Sequence, residues 1–224
     1  NKTLGKFTPD WTGGISNTFS YRSLSLSFLI DASVGGSIFS NTNKTGKYTG
    51  VLANTLSGRD AEHGGLWYYT DAMGNNVRLP ESPSYSVSSD GLYYAQVNGQ
   101  STRVYQDGIM VEGVTESGSK NEEVVSAEKY YHRIYSIAEA NVYDASYVKL
   151  REVALSYRLP RLWTQKLHLQ EASVTLTGRN LWTIYKSVPN IDPESALTTG
   201  NAQGVEAYSL PTTRSFGVNL SVKF

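Results

Sequence analysis

Alternating apolar and polar residues form the strongest pattern in this chain. In the segment 24–30 every even-numbered position is apolar, whereas positions 25 and 27 are Ser. In the segment 15–21 the apolar residues again share one phase, and hydroxyl residues occupy most of the other. Successive side chains of a strand point to opposite faces of a sheet, and Arg22-Ser23 is short enough for a tight reversal. The pattern predicts a hairpin with one apolar face and one hydroxyl-rich face.

The same alternation predicts a second hairpin between Tyr147 and Trp182, and a final strand over the last eleven residues. The first strand of this hairpin stops at Pro160, because Pro cannot donate a hydrogen bond inside a ladder. We expect its second strand to start near Leu167 and the final strand near Thr212. The sequence thus predicts about five long strands. The residues predicted for their apolar face are Leu24, Leu26, Phe28, Val153, Leu155, Val174, Val218 and Leu220.

Two long connections separate these strands, in contrast to the short turns predicted at 22–23 and 160–166. The first connection, 41–143, is rich in Gly, Ser, Asn and Tyr, and its Asn98-Gly99 pair predicts a small hairpin. Aromatic and apolar residues at three-to-four spacing predict one helix over 120–139, with Ser119 as its N-cap. The second connection, 183–211, contains three prolines. Connections as long as the first usually have a function.

The polar face and the strand ends distinguish two interpretations of this sheet. Its polar positions are mostly Ser, Thr, Asn and Gly, which are typical of a water-filled lumen, whereas the outer face of a soluble sandwich is usually charged. Aromatic residues cluster at strand ends, as in the interfacial belts of membrane barrels. They are Trp11, Tyr21, Trp163, Trp182, Tyr185 and Phe224. The alternative is a secreted all-β domain with scattered surface aromatics.

Five strands are too few for a complete membrane barrel. Single-chain bacterial barrels have about eight or more strands, in even number. An open sheet in lipid leaves unpaired edge groups that cost several kcal/mol each. We therefore expect the chain, if it forms a membrane barrel, to be one piece of it. The terminal aromatic Phe224, in phase with its strand, indicates the C-terminal piece.

Composition narrows the function classes. The 224 residues carry 20 Lys and Arg against 20 Asp and Glu, which argues against a strongly basic nucleic-acid binder. The absence of Cys excludes disulfides, thiol catalysis and Cys-ligated metals. No apolar run approaches eighteen residues, and no signal peptide, nucleotide-binding motif or hydrolase motif is present. We expect neither an enzyme nor a cofactor.

Several motifs resemble one family. The segment 8–14 resembles the approach to a barrel strand in the SusC/RagA-like TonB-dependent outer-membrane transporters of Bacteroidetes. The segment 143–160, which begins Tyr-Asp-Ala-Ser-Tyr-Val-Lys-Leu-Arg-Glu-Val, resembles the family's most recognisable C-terminal stretch. Residues 178–182, 190–194 and 211–217 follow in the family's order. The resemblance covers essentially the whole chain and is weakest in 41–118.

This resemblance implies the last five strands of a twenty-two-strand barrel in the cell outer membrane, with its long loops extracellular. It implies uptake of oligosaccharides or, in some members, peptides. The implied partners are a SusD-like surface lipoprotein, TonB as the energy source, and membrane lipid, with no nucleic acid. The remaining strands, the plug and the TonB-contacting N-terminal part would lie outside this chain, which contributes wall and loops.

Aromatic residues of the first connection are the candidate ligand contacts. Planar rings stack on sugar faces, and the alternative is that these rings pack the connection on itself or on the lipoprotein. The candidates are Trp67, Tyr68, Tyr69, Tyr93 and Tyr94. On a predicted strand, Lys149, Arg151 and Glu152 either line the lumen as an ionic ladder or support the base of a loop, and the structural role is favoured.

Other chemistry-bearing groups are interpreted as structural. The segment 71–76 lacks the spaced carboxylates of a cation loop and predicts a turn. Glu122, Glu123 and Glu128 have no predicted cleft for glycoside hydrolysis. We therefore predict no catalytic and no metal-binding residue. Two rival functions stay open: a secreted soluble β-sandwich that binds carbohydrate through Trp67 and the tyrosines, and a soluble glycoside hydrolase.

Overall fold

The computed structural model describes residues 2–166, 168–198, 200 and 202–224. The chain divides into two compact units. The sheet unit combines residues 1–42 and 141–224, and the inserted unit is the continuous segment 43–140. Within the described residues, none of the helices has both the length and the apolar character that a membrane span requires.

The described residues contain fourteen strands and three α-helices, with short 3₁₀ turns at Ala53–Thr55 and Glu139–Asn141. The strands are β1 (Trp11–Tyr21), β2 (Leu24–Val34), β3 (Ser37–Ser40), β4 (Leu66–Thr70), β5 (Asn76–Arg78), β6 (Tyr85–Val87), β7 (Tyr93–Val97), β8 (Gln100–Met110), β9 (Val124–Ser126), β10 (Val142–Asp144), β11 (Tyr147–Arg158), β12 (Glu171–Lys186), β13 (Val205–Glu206) and β14 (Ser215–Lys223). The helices are α1 (Asn41–Tyr48), α2 (Ala127–Ser136) and α3 (Arg161–Lys166).

Five long strands of the sheet unit form one antiparallel sheet in the order β1-β2-β11-β12-β14. This main sheet confirms the predicted all-β class and the five long strands. β1 and β2 pair without interruption to Tyr21↔Leu24, so Arg22-Ser23 is the predicted two-residue turn. Arg22 has the positive φ (54°) that primed hairpin turns require at their first central residue.

The second predicted turn, 160–166, is instead a short helix. Pro160 ends β11, and its carbonyl oxygen accepts hydrogen bonds from the backbone N–H groups of Trp163 and Thr164 in α3. Proline is well suited to this position because it has no N–H to satisfy at the start of a helix. The predicted strand start near Leu167 lies outside the described residues, and β12 begins at Glu171.

A small sheet continues from one end of the main sheet, at Val34, Tyr147 and Lys186, which we call the loop end. In it β3 pairs antiparallel with β10 and parallel with β13. Its core is formed by the buried residues Ile38, Val188 and Ile191, with the partly buried Tyr143 and Ala145 packed against them. The small sheet therefore pairs β3 and β10, which lie at the two ends of the first long connection, with β13 of the second. The opposite end of the main sheet, at Arg22 and α3, is the turn end.

The first connection contains a folded unit with its own sheet and core. Strands β5-β4-β8-β7-β6 are neighbours in that order, and β9 also pairs with β8. The predicted hairpin at Asn98-Gly99 is confirmed: both residues have positive φ, and Val97 pairs with Gln100. Buried Trp67, Ala95 and Val104 form the core.

The helix predicted over 120–139 is shorter, and its predicted cap is wrong. Val124 and Val125 are buried in β9, where they pair with Met110 and Ile109 of β8. Helix α2 begins only at Ala127, and its N-cap is Ser126 rather than Ser119, because the Ser126 side chain accepts a hydrogen bond from Lys129 N. Two adjacent β-branched residues and their tertiary partners have shortened the helix.

Candidate functional site

Side chains of the main sheet form rows that cross all five strands. Residues directly opposite each other on antiparallel strands point to the same face, so the pairing register identifies each row. One row is entirely apolar: Phe19, Leu26, Leu155, Leu176 and Val218. The next row toward the turn end on this face is Tyr21, Leu24, Tyr157, Val174 and Leu220. This face of the sheet is apolar from edge to edge over both rows.

The opposite face carries hydroxyl and amide groups in matching rows. One of them is Ser20, Ser25, Ser156, Thr175 and Asn219. Its members bond to each other across strands: the Oγ atoms of Ser20 and Ser25 are 3.1 Å apart, and Ser156 Oγ lies 2.7 Å from Thr175 Oγ1. The predicted separation into one apolar and one hydroxyl-rich face therefore holds across the sheet.

Exposure on the two faces is the reverse of what a water-soluble sheet shows. In the apolar row, Phe19 is 58% exposed, Leu176 52% and Val218 74%. On the polar face Ser25, Ser156 and Thr175 are half-buried. A soluble antiparallel sheet packs its apolar face on a core and leaves its polar face in water. Within the sheet unit, no other described segment covers this apolar face.

Exposed aromatic residues mark both ends of this face. Tyr21, Trp163 and Phe224 lie at the turn end, and all three are well exposed. Trp11, Trp182 and Tyr185 lie toward the loop end and are exposed to a similar degree. Aromatic rings with a polar N–H or O–H group favour the boundary between hydrocarbon and water. The two groups of rings bracket the apolar rows between them.

An ion-pair network joins the loop end of β11 to the second long connection. Lys149 is only 2% exposed, and its Nζ lies 2.6 Å from both Asp192 Oδ1 and Glu194 Oε2. Arg151 pairs through Nε with Asp31 Oδ2 at 2.8 Å, and through Nη2 with Glu194. Because a bulge at Arg151 interrupts the register of β11, Lys149 and Arg151 both reach this connection.

Both oxygens of Asp192 and of Glu194 accept hydrogen bonds in this network, whereas Asp31 Oδ1 is buried without a hydrogen-bond partner among the described residues. Asp192 Oδ1 also accepts from Glu194 N, and Asp192 Oδ2 accepts from the backbone and hydroxyl of Thr212. Tyr147 donates its hydroxyl hydrogen to Glu194 Oε1 at 2.9 Å. Burial alone would raise the pKa of Asp192, but hydrogen bonds from Lys149 and Thr212 bring that pKa down to about 2. The group is therefore held ionised.

The network supports the structural interpretation of Lys149 and Arg151. Asp192, Glu194 and Thr212 were not predicted as their partners, although Lys149 and Arg151 lie in the motif segment 143–160, and Asp192 and Glu194 lie in the motif segment 190–194. Glu152 is separate: it pairs with exposed Arg179 directly across β12, Nε to Oε2 at 2.9 Å. This pair lies on the polar face of the main sheet, as does the exposed pair of Arg158 Nε and Glu171 Oε1 at 2.8 Å.

A second buried carboxylate, Glu206 of β13, ties the same connection to the start of α1. It is fully buried, and its two oxygens accept hydrogen bonds from Ser40 Oγ (2.7 Å), Thr42 Oγ1 (2.6 Å) and the backbone N–H groups of Thr42 and Ser209. Burial would raise its pKa, but these donors lower it overall. Sequence patterns gave no signal for this residue.

The predicted ligand-contact residues lie in the core sheet of the inserted unit. Trp67 is 6% exposed and packs against the rings of Tyr85 and Tyr93. Tyr68 is 4% exposed, stacks on Tyr105, and donates its hydroxyl hydrogen to Asp107. These two rings therefore pack the connection on itself. Tyr69, Tyr93 and Tyr94 are half-buried, and contact between them and a ligand stays a prediction.

The remaining acidic candidates show local roles. Asp71 closes the predicted turn, since its Oδ1 accepts from the backbone N–H groups of Met73 and Asn75. Glu123 forms an exposed pair with Arg133. Within the described residues, no group of three or more His, Asp or Glu side chains is arranged to hold a metal ion.

The chain is similar to a curated receptor over its whole length. No protein-family model matches the chain. Across 229 aligned residues, and over all of its length, it is 24% identical to TonB-dependent receptor P3 of Formosa agariphila. The chain resembles a TonB-dependent receptor throughout. This match confirms the resemblance drawn from the motifs.

The chain spans only a fraction of the receptors that it matches. It covers 17% of the Formosa agariphila receptor. Two solved structures of the RagAB peptide importer, in its open-open and closed-closed states, each align with a TM-score of 0.46 and 17% identity. The alignments cover 97% and 100% of this chain, and 17% and 18% of the importer chains.

Proposed function

We propose that this chain forms part of the barrel wall of a TonB-dependent transporter in the outer membrane. The apolar face of the main sheet lies in lipid, and the hydroxyl-rich face lines an aqueous passage. The observation that carries the proposal is the exposed apolar row from Phe19 to Val218, because no described segment of the sheet unit shields it from solvent. Each large apolar side chain moved from water into hydrocarbon contributes about 1.5–3 kcal/mol.

The strand dimensions support a membrane span. The main-sheet strands have 9 to 16 residues, and a transmembrane strand needs about 9–11. From Trp11 to Tyr21, ten steps of about 3.3 Å give a strand length of about 33 Å. At a tilt of about 40° this corresponds to about 25 Å along the membrane normal, the height of the apolar band of outer-membrane barrels. The aromatic residues at the two ends then lie at the two interfaces.

The role of the whole transporter follows from the family resemblance. The transporter takes up a solute, an oligosaccharide or a peptide, and is not an enzyme. A SusD-like lipoprotein covers the side that carries the two long connections, which are extracellular. TonB and the plug act through parts of the protein outside this chain. The hydroxyl rows and the Glu152–Arg179 pair then face the solute path.

Arginine substitution on the two faces tests the orientation of the sheet. Leu26→Arg and Val174→Arg place a charge in the lipid face, where the cost is about 2–4 kcal/mol near the midplane and falls toward the interface. Leu26→Arg should have the larger effect, because Val174 shares its row with the interfacial Tyr21. The matched controls Ser27→Arg and Thr175→Arg place the same charge on the adjacent polar face. We expect the first pair to fold poorly in the outer membrane, as judged by the mobility shift of unboiled samples, and the controls to fold normally.

Two results would overturn the proposal. If all four variants assemble equally well, the sheet does not have one face in lipid. If the protein is monodisperse in water without detergent, the secreted binding module takes the place of the transporter wall.

A further inference from the structure

The inserted unit contains a cleft of about 580 Å³ beside helix α2. Its chemically relevant lining groups are Tyr48, Arg59, Asp107, Glu128, Tyr131 and His132, together with Lys47, whose ammonium group donates to the carbonyl oxygen of Ala140 at 2.7 Å. None of them belongs to the aromatic core around Trp67. The cleft therefore differs from the ligand contacts that the sequence predicts.

Two carboxylates without a counter-ion occupy one end of the cleft. Among the described residues, no cationic group lies within ion-pair distance of Asp107 or Glu128. Asp107 is half-buried and accepts a hydrogen bond from the Tyr68 hydroxyl at 3.2 Å. Burial raises its pKa, and the neighbouring charge of Glu128 raises it further. A cation placed here would relieve both the desolvation and the repulsion.

A guanidinium with unused donors lies in the same cleft. Arg59 Nη2 donates to the carbonyl oxygen of Gly50 and to Thr55 Oγ1. Its Nε and Nη1 donors have no hydrogen-bond acceptor among the described residues. The Arg59 side chain is thus held through Nη2, and its Nε and Nη1 groups are available to bind a ligand. Such a fork is suited to a carboxylate.

Aromatic side chains line the cleft beside these charged groups. Glu128, Tyr131 and His132 share one face of α2, since they are three and four residues apart. The ring of His132 stacks on Tyr48 with centroids 4.0 Å apart. The Tyr131 hydroxyl lies 3.0 Å from the carbonyl oxygens of Asn54 and Ser57, close to Arg59. Carboxylates, aromatic rings and the guanidinium therefore line the same cleft.

We infer that this cleft binds a short peptide by its two charged ends, with the ammonium group at Asp107 and Glu128 and the carboxylate at Arg59. A neutral oligosaccharide could stack on the rings, but it would give neither the two carboxylates nor Arg59 an oppositely charged partner. An anionic one would meet the two carboxylates. As a statement about solute uptake, the inference rests on the proposed function. Within that function, it selects peptide rather than oligosaccharide as the imported class.

Calorimetric titration of the intact protein in detergent tests the inference directly. The probes are tetra-alanine, N-acetyl-tetra-alanine, tetra-alanine amide and the neutral sugar maltotetraose. We expect tetra-alanine to bind, and capping of either end to weaken binding about tenfold or more, because each cap removes one charge-assisted contact. Maltotetraose should not bind at this site. These comparisons on the unaltered protein need no variant to fold.

Substitutions then assign each end of the peptide. Glu128→Gln should weaken tetra-alanine about tenfold and leave the N-acetyl form unchanged, whereas Arg59→Gln should weaken tetra-alanine and leave the amide unchanged. Glu62→Gln and Lys129→Gln remove charges of the same signs from the surface of this unit and serve as controls. Arg59→Lys retains the charge and should restore part of the affinity.

Three results would overturn the inference: equal binding of capped and uncapped peptides, loss of affinity in the control variants as large as in the cleft variants, or binding of maltotetraose in place of tetra-alanine. These outcomes are separate from the test of the barrel wall. A protein that assembles normally in the membrane but binds no peptide overturns the inference and leaves the proposed function standing.

Discussion

Replacing Lys149 with Met tests the energetic role of the ion-pair network. Met keeps an unbranched apolar stem but removes the ammonium group that lies 2.6 Å from both Asp192 and Glu194. Breaking a buried pair by removing one partner costs about 3–5 kcal/mol, because the other charge stays buried and uncompensated. Glu194 retains Arg151 and Tyr147 as partners, whereas Asp192 retains only uncharged donors. We therefore expect a loss of about 3 kcal/mol, which arises mainly at Asp192.

The free energy of unfolding in urea, measured on the protein in detergent micelles, gives the size of the loss. Faster backbone hydrogen exchange in the segment 187–214 would show that the loss of stability lies in the second long connection. The double variant Lys149→Met/Asp192→Asn removes both charges, so it should be more stable than Lys149→Met alone. Arg179→Met is the matched control, since its pair with Glu152 is largely exposed and such pairs contribute about 0–1 kcal/mol.

The reasoning is refuted if Lys149→Met costs no more than Arg179→Met. It is equally refuted if Asp192→Asn in the Lys149→Met background destabilises the protein further. Either result would mean that the buried charges do not depend on each other, and that the second connection is held in place by its apolar contacts alone.

Three further predictions concern other groups. The pKa of Asp192 is about 2, below its ordinary 3.8, so ionised Asp192 contributes about 2 kcal/mol to the free energy of unfolding. This contribution should be complete above pH 5 and lost as the pH falls through about 2. Asp192→Asn should therefore flatten the acidic side of the curve of unfolding free energy in urea against pH. Glu206→Gln replaces one acceptor oxygen with an NH2 group that faces other donors. The free energy of unfolding from thermal melts should fall by about 1–3 kcal/mol, and no fall would argue against the buried carboxylate as a tether. Trp67→Ala removes a core ring at a cost of about 3–5 kcal/mol and should make the segment 43–140 sensitive to limited proteolysis, whereas a resistant variant would contradict the packing role.

The long strands were predictable because their period is local. In β2 the alternation of Leu, Phe and Ile with Ser fixes both the strand and its faces without knowledge of any partner. The two-residue turn at Arg22-Ser23 and the Asn98-Gly99 hairpin were predictable for the same reason, since both depend on neighbours in sequence.

Features that depend on distant pairing were not predictable in this way. The helix start was misplaced because Val124 and Val125 belong to a strand, and only their pairing with β8 makes that apparent. Lys149 meets Asp192 across 43 residues, at a position that the bulge at Arg151 determines. The burial of Trp67 likewise follows from the pairing of β4 and β7 with β8 and of β6 with β7, and β4, β6 and β7 have only three to five residues, too few to give a periodic signal.

The pairing of β3 with β10 has a consequence for how this chain can vary. Phe39 lies opposite Val142, so the chain leaves the small sheet and returns to it at adjacent positions. A segment whose ends are held side by side can be lengthened, shortened or exchanged without altering the register of the strands on either side. Residues 43–140 are therefore a module that can be replaced as one piece while the five-stranded sheet stays the same.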